Sequence, residues 1–161
     1  MHAPSQIPDL PDKPSDLIRK ALSDLKSVEN DRSPTRYNIN MDTTWYLAFP
    51  TSKGSKNIGR CYVCLAGAVI ARSGPHCTFY DEQTGGQILQ PQHFDDSTKK
   101  KLFAIDYFRQ GNVYRGLSCM GFPIPLYQPY GILPVTNYRA SPETFFQNME
   151  SIAQWLEDRG Y

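Results

Sequence analysis

Cys61 and Cys64 form a Cys-x-x-Cys pair, the spacing at which two thiolates could hold a tetrahedral zinc ion. The remaining ligands would have to be His76 and Cys77, which are adjacent and point awkwardly toward a common centre. A structural zinc site also wants a second spaced pair, and none is present. The competing reading is that both thiols are buried in a packed interface, where free cysteine behaves as a small hydrophobe. Cys61 supports a second chemistry as well. A thiol at a helix N-terminus has a lowered pKa, and with His76 or His93 as base it would have the layout of a cysteine-dependent hydrolase or transferase. The acids nearest in sequence to those histidines, Asp81, Asp95 and Asp96, read as ordinary loop residues. Nothing around Cys61 beyond its position marks a nucleophile.

Other chemistries fail on spacing. A thioredoxin-type redox pair needs a preceding strand and a βαβ setting, and neither is visible. Gly54 and Gly59 do not make a phosphate-binding loop, and Gly85-Gly86 is followed by no lysine or helix signal. The carboxylates show no spaced acid–base pair. Arg36, Arg60 and Arg72 could meet an acidic partner, although lone arginines are more often surface charges. Phe122, Tyr127, Tyr130 and Tyr138 lie among four prolines between residues 121 and 138. They offer rigid amphipathic area of the kind that anchors interfaces, or else they cover the core from outside. Base stacking on the tyrosines is disfavoured by the near-neutral charge.

These residues must be positioned by a small number of elements. The stretch 59–72, GRCYVCLAGAVIAR, holds no charge from Cys61 to Ala71 and is far shorter than the roughly 20 apolar residues of a membrane span. On a helix, Cys64, Gly67, Ala68 and Ala71 form a strip of small side chains that would let another element come close. The stretch therefore predicts a buried central helix, started by Asn57 or Gly59. Ser15 predicts an N-cap for an amphipathic helix over 15–29, its apolar stripe being Leu17, Ala21, Leu25 and Val28. Alternation predicts a short strand over 44–49. Two weak strands at 77–81 and 86–90 would form a hairpin about Gly85-Gly86. Asp96 or Ser97 predicts a helix to Gln110 that Gly111 ends, and Asn112 caps a further one through Met120. Residues 121–138 predict an extended band. Ser141 with Pro142 predicts the start of a final helix that Gly160 closes.

The totals set limits. A length of 161 residues predicts one globular domain, 15–161, preceded by an extended proline-rich arm, 1–14. A formal charge of +1 and a pI near 7.7 argue against a duplex-binding protein, and Lys99-Lys100-Lys101 reads as a solvated face. The cysteine spacing is not that of a secreted disulfide framework, and the polar opening MHAPS predicts no signal peptide.

Four pieces together resemble a family of small bacteriophage and prophage proteins of unknown function. They are Arg36-Tyr37-Asn38-Ile39-Asn40-Met41 followed by Trp45, CYVCLAGAVIA at 61–71, KLFAIDYFRQGNVYRGL at 101–117, and the terminal stretch 146–161. The overlap in order and spacing spans roughly two-thirds of the chain, and CxVCLAGAV is its most specific part. In that family the residue after the tryptophan is often histidine, whereas this chain has Tyr46. The resemblance implies a phage gene expressed in a bacterial host and carries no activity with it. The expectation is thus a mainly α domain with a minor β element, a buried central helix and long proline-rich connections. Functionally, the expectation leans to a non-enzymatic protein without cofactor that binds a host protein or complex in the host cytoplasm. Blocking a defence complex, as anti-CRISPR proteins do, is the most specific version. The alternatives are the Cys61 hydrolase and a minor virion or assembly protein.

Overall fold

A computed structural model describes residues 6–31, 37–42, 45–50, 58–73, 87–89, 93–124 and 131–161. The chain is mainly helical with a minor β element, and it divides into two compact units. Met1–Ile7 with Ser23–Asp95 make the first unit, and Pro8–Leu22 with Asp96–Tyr161 the second. The first helix, α1 (Pro14–Glu29), gives its leading turns to the second unit and its trailing turns to the first. Its expected stripe of Leu17, Ala21, Leu25 and Val28 is fully buried. The helix begins two residues earlier than its capping signal predicts, at Pro14 instead of Asp16. Leu17 N–H already bonds the Lys13 carbonyl, so Pro14 takes the first helical position, where its missing donor is no loss. Ser15 lies inside the first turn, and its Oγ is buried without a hydrogen-bond partner among the described residues.

The first unit holds a four-stranded sheet in the order β1–β3–β2–β4. The strands are β1 (Tyr37–Ile39), β2 (Tyr46–Pro50), β3 (Ile58–Val63) and β4 (Gln87–Leu89). β1 runs parallel to β3, while β2 is antiparallel to both β3 and β4. The register shifts between Phe49 and Pro50, where proline can no longer donate to the ladder. The expected strand at 44–49 is β2. β4 falls within the expected strand 86–90, and its ladder partner is β2; the expected strand 77–81 lies outside the described residues.

The central stretch departs from expectation. Instead of one helix over 59–72 there is a strand, β3, then the single residue Cys64, then helix α2 (Leu65–Ser73). A short apolar run does not distinguish strand from helix by periodicity, and two local preferences split this one. Ile58, Tyr62 and Val63 favour a pleated surface, while Leu65, Ala66 and Ala68 favour a helix. β3 also has ladder partners on both sides, so its backbone is satisfied as a strand. The second half remains a buried helix, with Leu65 to Ile70 all inaccessible.

The second unit is helical. α3 (Asp96–Arg109) buries Leu102, Ala104, Ile105 and Phe108. Gly111 ends it at φ +80°. Asn112 then caps α4 (Val113–Cys119) by accepting from Arg115 N–H at 3.3 Å. α4 packs on α3 through Gly116, where any added Cβ would lie 2.3 Å from the Phe108 ring. Ser141 caps α5 (Pro142–Asp158), its Oγ accepting from Thr144 N–H at 3.2 Å. Phe145, Met149, Ile152 and Leu156 are buried, and on the wet side Arg19 of α1 bridges Glu150 and Glu157 at 3.0 and 3.1 Å. The proline-rich arm is engaged here as well: Leu10 is buried, and Lys101 Nζ donates to the Leu10 carbonyl and the Asp12 carboxylate.

Candidate functional site

Cys61 lies in β3, between β1 and β2. Alternate strand residues share a face, so Cys61 and Val63 point together. The register sets Tyr37 beside Cys61 on one flank, Ala48 beside it on the other, and Tyr46 opposite Val63. Tyr46 is therefore the diagonal cross-strand neighbour of Cys61, within reach of a long aromatic side chain. Its hydroxyl is hydrogen-bonded to the Cys61 thiol. Cys61 has no accessible surface, and burial pushes its thiol up to about 12 from an ordinary 9.0, against a smaller downward pull from Tyr46. A thiolate would lose its hydration there, so the neutral S–H is the stable form.

The same face continues outward through Tyr37. Burial raises its phenol first, the neighbouring Cys61 next, and the Arg72 guanidinium opposes them. Arg72 lies 5.7 Å from the centre of the Tyr37 ring and donates to Asp31 at 2.6 Å and to the Ser27 carbonyl at 3.0 Å. It closes the C-terminal turn of α1, where orphan carbonyls favour a cation. Thiol, two phenols, guanidinium and carboxylate thus form one polar seam in the first unit. Burial, and not these neighbours, keeps the Cys61 thiol protonated.

Cys64 has a separate task. It precedes α2, and its Sγ accepts from Gly67 N–H at 3.4 Å in the manner of an N-cap. Its thiol donates to the Trp45 carbonyl at 3.7 Å, and its backbone N–H bonds the same oxygen at 3.3 Å. The Trp45 carbonyl therefore sits over the first turn of α2, where helix donors are unsatisfied. The small-residue strip is what admits it. A Cβ on Gly67 would stand 1.6 Å from that oxygen. Trp45 is anchored in turn against Phe94, edge to face at 5.8 Å. The expectation of Cys61 at a helix N-terminus is thus corrected: Cys64 holds that place and Cys61 is on a strand.

His93 is half-buried, and burial lowers its pKa. The influences on Cys61 ionisation are burial and Tyr46, with no imidazole among them for the described residues. His76 and Cys77 lie outside the described residues, as does Arg36. Among the described residues no three His, Cys, Asp or Glu side chains converge as a metal site, and each thiol of the Cys61/Cys64 pair has its own protein partner. Arg60 pairs with Phe49 in the β3–β2 ladder. Lys99 and Lys101 are bridged to Asp96 and Asp12.

The aromatic band divides. Phe122 meets the Tyr161 ring edge to face at 5.4 Å, and Tyr138 packs on Phe145 at 5.6 Å and Phe146 at 6.5 Å. Both cover the second unit. Tyr127 and Tyr130 lie outside the described residues. Between Phe122 and Tyr138, Gly131 to Leu133 are pinned to the α3–α4 turn: Val113 N–H bonds the Gly131 carbonyl, and Leu133 N–H bonds that of Gly111. This holds Ile132 outward, 65% exposed, and Ile124 is 43% exposed.

The expected partners of Cys61 were His76 or His93, whereas its neighbours across the sheet are Tyr37 and Tyr46. The signal that could have found them is the alternation of Tyr46 and Ala48 against that of Cys61 and Val63, once 58–63 is taken as a strand. Among the described residues no helix is long and apolar enough to cross a membrane. No family model, curated protein or solved structure matches this chain.

Proposed function

We propose that this chain is a phage-encoded protein that binds a macromolecule of the bacterial host, in the host cytoplasm, without catalysing a reaction. Its most specific form is an inhibitor of a host defence complex, in the manner of anti-CRISPR proteins. The phage setting rests on the resemblance of the CxVCLAGAV segment and its companions. The observation that carries the non-catalytic reading is the burial of Cys61, its thiol pushed up to about 12 and bonded to a phenol. A nucleophile must reach its substrate as thiolate, and this one neither ionises near neutrality nor touches solvent.

Support for a binding surface comes from the connection between α4 and α5. Ile124 and Ile132 are the large apolar side chains that stand exposed among the described residues, and Tyr127 and Tyr130 lie between them in sequence. Aromatic and aliphatic anchors of this kind dominate the energetics of protein interfaces. The test is capture from host lysate with this chain as bait. Ile132→Asp, and Tyr127→Ser with Tyr130→Ser, should lose the captured partner, while Cys61→Ala keeps it. Loss with Cys61→Ala and retention with the surface variants would instead favour the cysteine-dependent hydrolase or transferase. Recovery of the chain in purified phage particles would favour the virion or assembly role.

A further inference from the structure

We draw no further inference here: the strongest candidate, the apolar surface exposed by Ile124 and Ile132 on the connection between α4 and α5, belongs to the interface already proposed, and nothing among the described residues shows the chemistry of what covers it.

Discussion

Replacing Gly67 with alanine places a methyl carbon 1.6 Å from the Trp45 carbonyl oxygen and 2.6 Å from its carbon. Relaxed carbon–oxygen contacts lie at about 3.3–3.6 Å, so the backbone would have to retreat by about 2 Å. No flexible side-chain tip is available to give way. The same carbonyl also holds the Cys64 N–H and thiol, so its movement loosens the start of α2. Overpacking of this kind costs about 1–3 kcal/mol, and contact with rigid backbone puts Gly67 at the upper end. Alanine's better helix preference returns at most about 1 kcal/mol. The net expectation is a loss of about 2 kcal/mol, or a fall in Tm of about 4–8 °C for a chain of this size. Urea and thermal unfolding followed by circular dichroism would measure it, with an unchanged m-value indicating that stability alone has moved. Gly121→Ala is the control: it meets no atom within 4 Å among the described residues and bears its φ of +87°, which costs about 1 kcal/mol. A Gly67→Ala protein as stable as the parent would mean that Trp45 does not cover α2 as described.

Two further outcomes follow from the thiols. Cys64→Ser retains an acceptor for Gly67 N–H and a donor for the Trp45 carbonyl, whereas Cys64→Ala removes both and should cost about 1 kcal/mol more in chemical unfolding. Equal stabilities would refute the cap. Cys61 binds its proton more tightly folded than unfolded. Its contribution to stability is therefore whole below pH 9 and disappears as pH climbs toward about 12. Tyr37, raised above 10.0, acts in the same direction. Urea midpoints should fall across that alkaline window, and more gently in Cys61→Ala; parallel curves would count against the burial of Cys61.

The helices were legible wherever a local signal coincided with a boundary. Ser141-Pro142, Asn112 and Gly111 mark the ends of their helices because capping is decided by a few neighbouring atoms. The stripe of α1 was legible for a similar reason, since one face repeats over four turns. The stretch 59–72 was not, because its apolar character reports only that it is buried. Whether Cys61 to Val63 extend or coil depends on β1 and β2 arriving to pair with them, and β1 is only three residues long. The site inherited that error. With Cys61 assigned to a helix, position 46 looked unrelated to it, although in the sheet Tyr46 is its hydrogen-bond partner. Phe122 and Tyr138 show the same limit: an aromatic residue in a proline-rich band reads alike whether its ring turns inward or outward.

A neutral, enclosed Cys61 is what separates a binding protein from a thiol enzyme here, and its alkylation rate in the native chain measures it. A rise from 9.0 to about 12 lowers the thiolate population near neutral pH by about a thousandfold, at tenfold per unit, before enclosure is counted. Iodoacetamide labelling read by peptide mass spectrometry should therefore find Cys61 at least that much slower in the native protein than in the unfolded one, with the partly exposed Cys119 as internal reference. Labelling of native Cys61 at the unfolded rate, or faster than Cys119, would show an open, ionisable thiol and return this residue to the role of nucleophile.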